Sequence, residues 1–177
     1  AFSVFIERFH RSLEELLSAP LSDHQIMMGF VAGGVFRGMV CGMTVWLTTY
    51  CFLGYVMVYP LFFLLACLVA ALVFSLMGVI NGLMARTFDD LNVMTTFLLN
   101  PLIMLGGVFY SVTMLSDFWQ GVAWLNPLLY VGNLFRFCMI GVANIDPMLV
   151  MGVLCTLIFI LYAIALWLMR STTYVRQ

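Results

Sequence analysis

The sequence predicts an all-α integral membrane protein, and three observations carry that prediction. Hydrophobic residues make up 64% of the 177 and charged residues only 8%, and the mean hydropathy is +1.11, far outside the range of soluble domains. Gly38 to Ala85 runs for 48 residues, and Pro147 to Met169 for 23, without an Asp, Glu, Lys or Arg. These runs lack the period-two alternation of a membrane barrel, so their backbone groups must be satisfied inside helices.

Residues 1–24 form the front of the chain: an apolar opening, AFSVF, then a charged amphipathic helix. Phe5, Phe9, Leu13, Leu16 and Leu17 recur at helical spacing, while Glu7, Arg11, Glu14, Glu15 and Ser18 take the opposite side. Glu7 with Arg11, and Arg11 with Glu15, are i,i+4 pairs that support the helix. Pro20 ends it. A capping box from Ser22 to Gln25 and a staple from Leu21 to Ile26 then start a second helix. Such a surface helix either anchors at the lipid interface or docks on a protein. Interfacial anchors are rich in Lys and Arg to meet anionic lipid. Here the acids Glu7, Glu14, Glu15 and Asp23 outnumber Arg8 and Arg11, which suits a protein contact better.

Residues 25–177 form the transmembrane part. A crossing takes about 20 apolar helical residues, and four are expected, near 34–54, 60–84, 91–110 and 147–169, with a tight turn from Gly54 to Pro60. Basic residues in short loops stay on the cytoplasmic side. The chain has seven Arg and no Lys, and an even number of crossings puts Arg8, Arg11, Arg86, Arg170 and Arg176 all inside. Arg37 is expected about one turn into the first span, with its stem snorkelling to the headgroups. Arg136 is the exception, in the outer connection 111–146.

That connection contains its own helix. Asn126 at the N-cap, Pro127 at the first helical position and Gly141 near the end bound about 14 residues, or roughly 21 Å, too short to cross and expected to be half-inserted. Asn126, Tyr130, Asn133 and Arg136 follow at intervals of four, three and three, forming one polar stripe. Arg136 fits either contact with outer headgroups or the lining of a pore exit. Tyr110, Phe118, Trp119 and Trp124 suit an interfacial aromatic belt.

Within the spans, Gly34, Gly38 and Gly42 form one small-residue ridge and Gly78 with Gly82 another. Packing inside the chain accounts for them, and a homodimer contact stays open. Asn100 and Pro101 lie in the middle of the third span, with Gly106 and Gly107 just beyond. Pro101 deprives the Phe97 carbonyl of its donor, and an amide at that depth faces protein or water rather than lipid. Either a kink satisfied by neighbours or a translocation gate fits these residues.

The inventory of chemistry excludes several classes. Five scattered cysteines without a C-x-x-C pair predict neither a disulfide framework nor a metal site. Both histidines, His10 and His24, belong to the front segment, so no imidazole is available to a site in the membrane. Asp89 and Asp90 are adjacent, not on one helical face. With no H-E-x-x-H or G-x-S-x-G either, the chain is not expected to be an enzyme. No span contains an acid, which argues against an ion-coupled carrier. Without a Lys the chain has no Walker P-loop, so any ATPase must be another polypeptide. The 14 methionines suit adaptable packing or a surface accepting varied substrates. A net charge of −1 goes with no expected nucleic-acid partner. A passive channel or scaffold subunit is the alternative to an energised permease.

The segments EELLSAP, GFVAGGVFRG and NPLIMLGGVFYSVTMLSDFWQGVAWLNPLLYVGNLFR together resemble the permease subunit of type-2 ABC transporters, a bacterial inner-membrane export family. The resemblance covers essentially the whole chain, and Leu99 to Arg136 is its most specific part. It implies that Arg11 to Pro20, including Glu14, Glu15, Leu16 and Leu17, is a coupling helix docked on a cytoplasmic ABC ATPase. It implies that Asn126, Pro127, Tyr130, Asn133 and Arg136 belong to an outer re-entrant element. The translocation path would then run past Asn100, Pro101, Gly106 and Gly107. ATP and Mg would be bound by the partner ATPase, with no cofactor in this chain. A second permease copy, as a homodimer, and a saccharide, drug-like or other amphiphilic substrate are further expectations. A family permease carries two spans ahead of this region, so the chain is expected to be an N-terminally shortened copy.

Overall fold

The computed structural model describes residues 22–54, 58–85, 87–107 and 116–174. The front helix expected over Arg11 to Pro20 lies outside them, as does Arg86. Every regular element among the described residues is helical: α1 (Asp23–Leu53), α2 (Pro60–Met84), α3 (Phe88–Leu105), α4 (Asp117–Trp124), α5 (Pro127–Ile140) and α6 (Pro147–Tyr174).

Local signals set most helix ends. The Ser22 N–H donates to Gln25 Oε1 at 2.9 Å, so the expected capping box starts α1. Gly54 ends it in the left-handed region at φ 61, donating its N–H to the Tyr50 carbonyl at 2.9 Å. At the start of α3, Thr87 and Asp90 cap each other reciprocally at 3.0 and 3.2 Å. Asp89 and Asp90 thus sit in a first helical turn, where the dipole favours negative charge.

Among the described residues three helices contain stretches long and apolar enough to cross a membrane: His24–Phe52, Pro60–Met84 and Pro147–Ser171. The first begins well before residue 34, because neither Gly29 nor Arg37 interrupts the helix. Arg37 therefore lies near the middle of a 29-residue apolar stretch, about 20 Å from His24 at 1.5 Å per residue. Since α1 begins at Asp23, Arg37 lies about four turns from the start of the helix. The third expected crossing corresponds to α3. It has 18 residues, carries Pro101 inside it, and stops at Leu105 rather than Tyr110.

α2 is the central helix, packing on α1 along one side, α6 along another and α5 near its start. One apolar cluster joins Phe63, Cys67, Ala70 and Val73 of α2 to Val131, Leu134 and Cys138 of α5 and Val150 and Leu154 of α6. A second joins Ile26, Met27 and Val31 of α1 to Leu76, Val79 and Leu83 of α2 and Ala165 and Met169 of α6. The start of α1 thus meets the ends of α2 and α6, as alternating crossings require. His24 Nδ1 and the Tyr162 hydroxyl, 3.0 Å apart, join that end with a polar contact. All five cysteines are free: Cys67 and Cys138 fill the first cluster, and Cys41, Cys51 and Cys155 are exposed.

Candidate functional site

The geometry around Pro101 begins with a carbonyl that its own helix does not use. Near the end of α3 the Gly106 N–H turns back to Ile103 O at 3.3 Å, one residue short of the α-helical partner. The Leu102 carbonyl, which an α-helix would pair with that N–H, is left over. Asn126 takes it, donating from Nδ2 at 2.6 Å. The same side chain caps α5, accepting the Leu128 N–H on Oδ1 at 3.0 Å. Asn126 is only 3% exposed, so a buried amide couples the end of α3 to the start of α5.

The two glycines of the pair serve this joint differently. Gly106 is buried, and a Cβ there would stand 3.0 Å from both Leu128 Cβ and Leu102 O, so any side chain would make α5 or the α3 backbone give way by a few tenths of an ångström. Gly107 turns the chain with φ 67, in the region glycine favours. Asn100 and Pro101 lie on the exposed side of α3, and the Asn100 amide bonds to no described residue. Thus Gly106, Asn126 and Pro127 are brought together, while Asn100 points away from them.

The spacing of the polar stripe on α5 holds, and its partners are backbone groups of this chain's own turns. Asn133 is buried at 6%, donates to Ile145 O at 2.9 Å and accepts the Asn144 N–H at 3.0 Å. The Tyr130 hydroxyl donates to Trp124 O at 2.7 Å. Only Arg136 is exposed. The far end of α5 is fastened too: Phe137 stacks on Tyr59 at 5.0 Å and meets Phe62 edge-on at 6.0 Å. The Tyr59 N–H donates to Cys138 O at 3.1 Å. α5 therefore bridges the end of α3 and the start of α2. Phe118, Trp119 and Trp124 of α4 stay exposed beside it.

The glycine ridge of α1 meets a matching ridge that sequence reasoning missed. A Cβ on Gly38 would be 2.9 Å from Ala71 Cβ, and one on Gly42 would be 3.1 Å from Cys67 Sγ. Gly34 faces Ser75, whose hydroxyl donates to Val31 O at 3.1 Å. Cys67, Ala71 and Ser75 are themselves four residues apart, a signal that was legible once small residues other than glycine are counted. Gly34, Gly38 and Gly42 thus face the chain's own second helix.

Among the described residues no three His, Cys, Asp or Glu side chains gather as metal ligands do. The site offers backbone carbonyls, amides and apolar surface that join α3 to α5. The family model described as the ABC-2 type transporter matches residues 1–140. The chain belongs to the ABC-2 family. It is 41% identical over 164 residues to the Inner membrane transport permease YadH of Escherichia coli strain K12, and equally to the proteins of that name from Escherichia coli O157:H7 and Shigella flexneri. The alignment covers 93% of this chain and 64% of each relative. No solved structure matches it. With its apolar helices and these relatives, this ABC-2 chain is a multi-pass protein of the inner membrane.

Proposed function

We propose that this chain is the membrane permease part of an ATP-driven exporter, energised by a separate cytoplasmic ATPase that holds the ATP and Mg. Membership of the ABC-2 family and relatives named transport permeases support the transport role. The observation that carries the mechanism is the Asn126 joint between α3 and α5. A helix that lacks one backbone donor at Pro101 and whose end is tied to α5 through the Asn126 amide can change its angle without unpairing its whole backbone.

In this reading Arg11, Glu14, Glu15, Leu16, Leu17 and Pro20 belong to the coupling helix, which the ATPase moves when it binds ATP. The pull enters the membrane through α1, tilts it against α2, and is relayed to α3 and α5. α5 acts as the outer re-entrant element, too short at 14 residues to cross. The path opens outward beside Asn100, whose exposed amide offers a polar contact to a passing amphiphile or saccharide. Two permease copies complete the pathway.

The test is co-purification of the full-length protein with the ATPase encoded nearest to it, comparing the parent with Glu14→Arg/Glu15→Arg. Retention by the parent and loss by the variant, at unchanged membrane insertion, supports coupling. If the parent binds no ATPase, or the reversal leaves binding intact, the helix is a surface anchor and a passive channel or scaffold becomes the better account.

A further inference from the structure

Between α1 and α2 lies a groove of about 650 Å³, within the usual size range of ligand pockets. Gly29 and Gly33 line it, and no described residue stands within 4 Å of where their Cβ atoms would be. Phe30, Phe74 and Phe135 supply apolar walls, and Arg37 is the one charged side chain among the lining residues.

The position of that arginine makes the groove informative. Arg37 lies near the middle of the apolar stretch His24–Phe52, and no Asp or Glu occurs between His24 and Met84 or between Pro147 and Gln177. An ionised guanidinium at membrane depth is costly unless it meets an anion or water, and marks a functional site by default. Neither α1, α2 nor α6 can supply a carboxylate along its span. Arg37 presents a planar fork of donors suited to a phosphate or carboxylate. The glycines leave room for a headgroup beside it, and the phenylalanines suit the first part of an acyl chain. A water-soluble anion would gain nothing from those walls.

We propose that the α1–α2 groove binds the acidic headgroup of a membrane amphiphile, an anionic phospholipid or a molecule of that class, through Arg37. The site rests on the membrane placement of α1 and not on ATP coupling, so its failure and that of the transport reading are separable.

The test uses the full-length protein in neutral detergent without an ATPase, titrated with phosphatidylglycerol or phosphatidylcholine of matched chains and read by native mass spectrometry. The parent should hold its first phosphatidylglycerol about tenfold or more tighter than phosphatidylcholine, the factor expected from a charge-assisted hydrogen bond. Arg37→Gln should remove that preference, and Arg37→Lys should keep part of it. Gly33→Leu leaves the charge in place and fills the open space, and should weaken retention of the lipid. Arg136→Gln should leave the preference intact. Thermal unfolding of each variant separates loss of binding from loss of fold. The proposal is overturned if the parent shows no preference, if the preference survives Arg37→Gln, or if Gly33→Leu binds like the parent. Displacement of the lipid by excess inorganic phosphate overturns the assignment to an amphiphile.

Discussion

Asn126→Ala is the sharpest probe of the joint between α3 and α5. It removes hydrogen bonds of 2.6 Å to Leu102 O and 3.0 Å from the Leu128 N–H, and leaves a carbonyl unpaired at a site where the native side chain is 3% exposed. A net hydrogen bond is worth about 1 kcal/mol, an unpaired buried carbonyl costs about 1–3 kcal/mol, and a lost N-cap about 1 kcal/mol. Because these terms overlap, the expected loss is about 2–4 kcal/mol. Asn126→Ser separates them: serine caps a helix as well as asparagine does but is too short to reach Leu102, so about 1–3 kcal/mol of the loss should remain. Asn126→Asp retains an acceptor for Leu128 but sets a carboxylate oxygen against the Leu102 carbonyl, and should be no more stable than the serine variant. The assay is unfolding of the full-length protein in mixed micelles as the fraction of denaturing detergent rises, followed by tryptophan fluorescence. If Asn126→Ala unfolds within about 0.5 kcal/mol of the parent, the size of an ordinary surface substitution, or if Asn126→Ser matches the parent, the joint does not work as described.

Other substitutions test the packing around it. Gly38→Ala places a Cβ 2.9 Å from Ala71 Cβ and should destabilise by about 1–3 kcal/mol through overpacking, whereas Gly152→Ala meets nothing within 4 Å and should be neutral or slightly stabilising. The same micelle unfolding measures both, and equal effects would contradict the α1–α2 seam. Asn133→Ala should cost about 2–3 kcal/mol, since it strands the Asn144 N–H and the Ile145 carbonyl. Its specific signature is faster amide exchange across residues 141–146, with α6 unchanged.

What the sequence revealed divides along a physical line. Elements bounded by local chemistry were legible: α2 runs from Pro60 to Met84 as its apolar run predicts, and α5 has the expected Asn126 cap, Pro127 start and left-handed Gly141 at φ 71. The start of α1 shows the opposite case. Its capping box at Ser22 is visible in the sequence, but that the helix runs unbroken from there through Arg37 to Leu53 is not. A cap terminates a helix because it satisfies free N–H groups; a charge in mid-helix terminates nothing. The stripe on α5 was legible as a spacing, but its partners, Leu102 O, Trp124 O, Asn144 N and Ile145 O, are backbone groups that no side-chain pattern encodes. The Gly106–Gly107 pair is conspicuous in the sequence, but the close approach of Leu128 to Gly106 depends on two segments meeting in space.

The central claim, a permease moved by a separate ATPase, is tested most directly at Asn100. In the full-length protein assembled with its ATPase, with exposed Cys41, Cys51 and Cys155 replaced by serine, Asn100→Cys is labelled by a thiol reagent with and without ATP. An ATP-driven path predicts that the labelling rate changes when ATP is added, and that the change disappears with Glu14→Arg/Glu15→Arg. A rate that ATP leaves unaltered while the ATPase remains bound and active would contradict it.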